Sequence, residues 1–357
     1  TPGTLISGVP RPSAVTDVTV ALPARSRGPQ CHMPDRLTTL LLRLAGLALM
    51  GTALIVALAR APDRDVQSLV HRWALPPSQF LDLNGQLVHY RDEGPQRDPV
   101  PVVLIHGTSS SLHTWDGWAR ALRAQRRVLR LDLPGFGLTG PYSGSYAGRP
   151  YQGESYARFV LDWLDHLGVH RFAVAGNSLG GEVAWHLAVL APQRVQQLVL
   201  VDSGGYSFHA ESVPVGFLLA RTPGLNRLGE YLLPRAVVTA SVRNVYGDPS
   251  KVTDDLVDRY FELALREGNR RALGERMRQF AQGANEGRIR DVRAPTLILW
   301  GGRDRLIPPA LADRFAADIP GSRVVRFDTL GHVPHEEDAA ATVAPVREFL
   351  GLAASRP

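Results

Sequence analysis

Residues 173–192, AVAGNSLGGEVAWHLAVLAP, put one serine among three glycines where an apolar run gives way to a helical pattern. A serine hydroxyl is a weak nucleophile until a base removes its proton, and it must project from its backbone to reach a carbonyl. Gly176-Asn177-Ser178-Leu179-Gly180 reads G-x-S-x-G, the pattern in which a sharp strand-to-helix turn exposes the serine and small neighbours avoid clashes. Alone, the pentapeptide also fits an ordinary turn, because Gly and Ser populate turns for their own reasons. Its flanks favour the nucleophile: RFAVA reads as a buried strand, and GGEVAWHLAVLAP as a helix ending before Pro192. That helix would aim its first N–H groups and its positive dipole end at an oxyanion.

A nucleophile of this kind needs an acid and a histidine downstream, in the order Ser, Asp or Glu, His. TLILWGGRDRLIP places Asp304 just beyond one strand pattern, and VVRFDTLGHVPHEE places His332 just beyond the next. Two rivals stand beside them. Asp202, at the end of LVLVD, is an alternative acid. His335 is an alternative base, although His332 directly follows the glycine that closes its strand. His106 is read as shaping its loop, and His113, His166, His170 and His186 fall within helical patterns as solvated or packed residues. No histidine and carboxylate cluster has metal-ligand spacing, so neither a metal nor another cofactor is expected.

Five stretches, IHGT, LDLPGFG, Gly176 to Gly180, WGGRD and GHVPHEE, resemble those of the α/β-hydrolase family and occur in that family's order. The resemblance runs from about Phe80 to Leu350. It implies Ser178 as nucleophile, His332 as general base and then acid, and Asp304 as the group that orients and stabilises the imidazolium. It also implies an oxyanion hole made by the backbone N–H groups of Leu179 and Thr108, each donor worth about 3 kcal/mol in comparable sites. Ester hydrolysis of a lipophilic small molecule is the leading expectation. Hydrolytic carbon-carbon cleavage is the alternative, because Asn177 in GNSLGG resembles the hydrolases of aromatic ring-cleavage pathways. A non-catalytic, membrane-tethered ligand-binding module is the reading from another class. The stretch GFGLTG (135–140) spells a dinucleotide-binding signature, but it runs into PYSGSYAGRP, where no helix can begin to receive a pyrophosphate.

The elements that must position these residues follow from the alternation of short apolar runs and helical patterns, which predicts a largely parallel sheet. FLDLNGQLVHYRDEG reads as a hairpin across Asn84-Gly85. PVVLIHG, RVLRLDLPG, RFAVAGNS, QQLVLVDSGG, TLILWGG and RVVRFDTLGH follow as strands. The expected fold is α/β: a mostly parallel central sheet of about eight strands flanked by helices, with a helical lid insertion and an N-terminal transmembrane helix. The core is assigned to 79–204 and 291–352 and the lid to 205–290. Phe217, Leu218, Leu219, Tyr231, Leu232 and Leu233 in the lid either line an apolar pocket or pack the lid on the body.

Before the core, LTTLLLRLAGLALMGTALIVALA has the length and composition of one bilayer crossing. Residues 37–60 are therefore a transmembrane or signal-anchor helix, with cleavage after Ala57-Leu58-Ala59 as the alternative. Residues 1–36 are expected to be a disordered tail and 61–78 a linker. A membrane-anchored protein with its catalytic domain on the extracytoplasmic (periplasmic) side is expected, although the arginines flanking the helix are nearly balanced. The formal charge of +6 comes from 40 basic and 34 acidic residues dispersed along the chain, which argues against a nucleic-acid partner. Cys31 is the only cysteine, so no disulfide framework exists.

Overall fold

The computed structural model describes residues 36–352, so the expected tail lies outside the described residues except for Arg36. Two compact units divide the chain, Thr1–Ala53 and Leu54–Pro357. The described part of the first is the opening of α1 (Arg36–Ala59). Its window Arg36–Ala57 has a mean hydropathy of 2.1 with none of it buried, so it is long and apolar enough to cross a membrane.

The second unit is built on an eight-stranded sheet in the order β1-β2-β4-β3-β5-β6-β7-β8. The strands are β1 (Ser78–Leu83), β2 (Gln86–Glu93), β3 (Val102–Ile105), β4 (Val128–Leu131), β5 (Phe172–Asn177), β6 (Val195–Val201), β7 (Thr296–Gly301) and β8 (Arg323–Phe327). β1 and β2 form the hairpin across Asn84-Gly85, β2 pairs antiparallel with β4, and every other pair is parallel.

Both sheet faces are covered, and the strand period divides the apolar residues between them. Val103, Ile105, Val174 and Leu200 pack towards α4 (Gly153–His166), α5 (Leu179–Leu190) and α11 (Leu311–Asp318). Val102, Leu104, Ala175 and Val199 pack towards α3 (Asp116–Leu122) and α13 (Ala339–Phe349). Between β6 and β7 the chain leaves the sheet through α6 (Val215–Arg221), α7 (Leu225–Gly229), α8 (Arg235–Val245), α9 (Asp254–Ala264) and α10 (Asn269–Gln279). A short α12 (Pro334–Glu337) follows β8.

The stretch expected as a linker differs from that expectation. It holds α2 (Val66–Trp73), whose N-cap Asp65 accepts from the Ser68 N–H at 2.7 Å. Leu69 is buried against Leu138 and Leu263, and Arg72 and Trp73 donate to Glu262. Pro76 and Pro77 mark the break before β1, but the short amphipathic run ahead of them has enough apolar surface to dock.

Candidate active site

Ser178 sits between the last residue of β5 and the first of α5 with φ 56° and ψ −116°, a conformation that costs a residue with a side chain about 1–3 kcal/mol. The surroundings enforce it. The Ser178 N–H donates to Val201 O at 3.0 Å, and its carbonyl accepts from the Glu182 and Gly204 N–H groups, each at 3.0 Å. Gly176 and Gly180 are glycine for steric reasons: a Cβ on Gly176 would lie 2.0 Å from Gly180 O, and one on Gly180 would lie 2.0 Å from Ile105 O. The turn is sharp because helix and strands approach within backbone contact.

Asp304 follows β7, and His332 follows β8. One Asp304 oxygen accepts from the N–H groups of Leu306 and Ile307 at 2.8 and 2.9 Å, while the other lies 2.7 Å from His332 Nδ1. The backbone donors thus fix the carboxylate, and the carboxylate fixes the imidazole. His332 is also held along its main chain, donating to Val245 O at 2.8 Å and accepting from Asn177 Nδ2 at 2.9 Å. Glu337 completes the mount by accepting from the N–H groups of Gly331, Gly247 and Asp248. No hydrogen bond joins Ser178 Oγ to His332, although both line the same cavity.

Ser178 lies where two cavities meet, each of about 170 Å³. The first is apolar, lined by Phe217, Leu219, Leu232, Leu233 and Val238 of the insertion, and it includes His332. The second carries Glu182, Arg276 and Tyr206 beside Trp185 and Phe280. Thr108 and Leu179 line this second cavity with Ser178, and neither backbone N–H has an acceptor among the described residues. Arg276, from α10, donates through Nε to Thr108 Oγ1 at 3.2 Å and through Nη1 to Tyr151 O at 2.9 Å. Burial raises the Glu182 carboxyl above its ordinary value, with the Arg276 charge acting in the opposite sense.

The sequence profile of the alpha/beta hydrolase fold matches residues 100–339. The chain belongs to this family. The hydrolase is 32% identical over 276 residues to the 2-hydroxy-6-oxononadienedioate/2-hydroxy-6-oxononatrienedioate hydrolase of Cupriavidus pinatubonensis, covering 74% of this chain and 90% of that one. Among solved structures it is similar in fold to a membrane phospholipase A, with a TM-score of 0.64, 24% identity, and coverage of 88% of this chain and 96% of the other. It is also similar to a meta-cleavage product hydrolase from Pseudomonas fluorescens IP01, with a TM-score of 0.65, 23% identity, and coverage of 76% and 97%.

The hydrolase places the remaining candidates differently. Asp202 is fully buried with φ 44°; one oxygen accepts from the Gly301 N–H at 2.9 Å, and the other receives no donor and faces the Asp304 carboxyl. Burial, reinforced by the charge of Asp304, pushes its carboxyl well above the usual range, so it favours the neutral form. It is Asp304 that His332 contacts. The side-chain ligand atoms of Asp202, Asp304 and His332 lie within 4.8 Å of one another, a grouping that spacing along the sequence does not show. His335 packs against Trp115 at 4.0 Å with Nε2 3.1 Å from Thr114 Oγ1, and burial pushes its pKa well below the ordinary value. His106 places Nδ1 2.7 Å from Gly107 O and accepts from the Leu133 N–H at 3.0 Å, so both nitrogens hold its loop.

His186 lies in α5 and His166 closes α4, whereas His113 lies in a short 3-10 turn and His170 in the loop before β5. Burial lowers His113 to about 3 and His186 to about 4. In the GFGLTG stretch no phosphate-binding helix begins, since α4 starts only at Gly153. Sequence reading missed the mounts supplied by Arg276, Glu337 and the Asn177 amide. Arg276 has no motif of its own, whereas Asn177 and Glu337 lie inside GNSLGG and GHVPHEE, whose patterns do not reveal what these side chains hold.

Proposed function

We propose that the protein is a serine hydrolase in which Ser178 attacks a carbonyl carbon while His332 Nε2 takes the hydroxyl proton. Asp304 orients His332 and stabilises its charged form. The Leu179 and Thr108 N–H groups receive the oxyanion. His332 then gives the proton to the leaving alcohol, leaving an acyl-enzyme. Water attacks that ester with His332 again as base, releasing the acid and restoring Ser178. The observation that carries this reading is the convergence on one cavity junction of a strained serine, a histidine tied to a carboxylate and two unpaired N–H groups. The helical insertion acts as a lid, and its apolar cavity favours an ester with a lipophilic acyl group.

Ser178→Ala tests the reading: hydrolysis of p-nitrophenyl butyrate should fall by about 10⁴-fold or more, and fluorophosphonate labelling should vanish. A folded wild-type protein that neither turns over nor labels would instead favour a ligand-binding module. A second reading, carbon-carbon hydrolysis of a vinylogous diketone, is favoured by the relative whose name gives such a dienedioate substrate. Turnover of a ring-fission product, followed by loss of its visible absorbance, would decide for it. We further propose that α1 anchors the chain, with the catalytic unit on the extracytoplasmic side. Protease accessibility in spheroplasts is the check: a catalytic unit protected until the membrane is lysed would reverse the orientation.

A further inference from the structure

The segment 215–231, VGFLLARTPGLNRLGEY, leaves apolar and basic residues exposed side by side. Val215, Leu218, Leu225, Leu228 and Tyr231 are all exposed, Leu228 to 53% and Tyr231 to 70%. Between Val215 and Gly229 there is no acidic residue, while Arg221 and Arg227 are exposed and have no ion-pair partner among the described residues. Leu218 is 50% exposed and also lines the second cavity, which Ser178 lines too, so this exposed face reaches the site.

The chain that follows the membrane-crossing candidate is stitched to this same stretch. The Leu233 N–H donates to Ala59 O at 3.0 Å, the Ala61 N–H donates to Tyr231 O at 3.0 Å, and Arg60 bridges Leu232 as an antiparallel pair. A little further on, the Arg64 N–H donates to Leu265 O at 2.7 Å, and Asp63 accepts from Gly268 and pairs with Arg270. A crossing helix that ends at Ala59 releases the chain at the headgroup level, and these bonds keep residues 231–233 within hydrogen-bond reach of that point.

We infer that the exposed face of α6 and α7 seats in the anionic lipid leaflet from which α1 emerges, so that substrate enters the Ser178 cavities from the membrane. Leu225, Leu228 and Tyr231 enter the acyl boundary, as an interfacial helix buries its apolar side. Arg221 and Arg227 meet lipid phosphates at the anionic surface. The inference rests on the membrane-anchor reading of α1 and is independent of the identity of the nucleophile.

The test uses the full chain in a Cys31→Ser background, reconstituted in vesicles of phosphatidylcholine with and without phosphatidylglycerol. An environment-sensitive fluorophore is attached at Leu228→Cys, and in a second variant at Gln193→Cys, an exposed site before β6 at the opposite end of the strands. The expected result is a blue shift and quenching by spin-labelled lipid at position 228, stronger with phosphatidylglycerol, and neither at position 193. A label at 228 that iodide quenches equally with and without vesicles overturns the inference. So does one shielded from iodide yet untouched by spin-labelled lipid, which would indicate cover by a second copy of the chain. Leu225→Asp/Leu228→Asp supplies the functional arm, with p-nitrophenyl butyrate hydrolysis retained and turnover of a vesicle-embedded ester reduced by about tenfold or more. Equal turnover of both substrates would sink it. If no variant hydrolyses any ester, the esterase reading fails while the quenching result still stands.

Discussion

Among the described residues two serine-histidine-aspartate arrangements can be compared, and their chemistry differs because their surroundings do. Around the cavities, Asp304 lies 2.7 Å from His332 Nδ1, and Ser178 shares a cavity with His332. Under the hairpin, Asp132 lies 2.7 Å from His89 Nδ1, and Ser78 Oγ lies 2.9 Å from His89 Nε2. By contact geometry alone the second set is the more complete, since its serine and histidine already touch. Yet Ser78 belongs to a regular strand and also accepts from Arg91 Nε, His89 and Asp132 are fully buried, and none of the three lines either cavity. Asp132 also accepts from the N–H groups of Leu112 and Leu138 at 2.7 and 2.8 Å, so its carboxylate ties loops together. A serine-histidine-aspartate set becomes a catalytic candidate when its serine stands on strained backbone beside space for a substrate and donors for an oxyanion, whether or not serine and histidine already touch.

The sharpest way to break this comparison is to remove each serine. Ser178→Ala should abolish turnover by about 10⁴-fold or more. Ser78→Ala should leave kcat within about twofold, because it removes a partner of His89 from a network that touches no substrate. Loss of activity in both, at equal folded content by circular dichroism, would refute the division.

The two aspartates sharpen it. Asp304→Asn should lower kcat by about 10⁴-fold with little change in melting temperature, since the amide no longer enforces the working tautomer of His332. Asp132→Asn should instead cost about 3 kcal/mol in urea denaturation, with kcat per folded molecule retained, because it disturbs a buried charged network. Asp132 is pushed up by burial, but its His89 contact overrides this and holds the carboxyl below the ordinary range. Its stabilisation is therefore full above the unfolded carboxylate value and is lost as pH falls towards the folded one.

Asp202 has the opposite sign and the smallest expected effect. Its carboxyl is raised, so its contribution is present below the unfolded value and is lost as pH rises towards the folded one. Asp202→Asn removes that dependence and keeps a donor facing Asp304. A gain of a few degrees in melting temperature at pH 8, with none at pH 4, is expected in differential scanning calorimetry. A loss at pH 8 would show that Asp202 is needed as an anion.

The strands and the elbow were legible in the sequence because they depend on local rules. A strand shows itself by its apolar run, the hairpin by Asn84-Gly85, and the elbow by glycines that no other residue can replace where helix and strand touch. The order of Ser178, Asp304 and His332 along the chain was equally visible. What remained hidden needed distances between remote segments. Nothing in VQSLVHRW announces that Leu69 finds Leu138 and Leu263, and the apolar run around Leu228 does not reveal which of its residues stay exposed.

The sequence by itself determined the family, the sheet and the chemical types available at the ends of its strands. Tertiary structure decided which carboxylate meets His332, which acid is driven towards its neutral form, and which serine faces a cavity. The physical reason is that hydrogen-bond partners and desolvation are set by packing between distant segments. Asp202 and Asp304 look alike in sequence, each an aspartate just beyond a buried strand, and only burial and neighbours separate them.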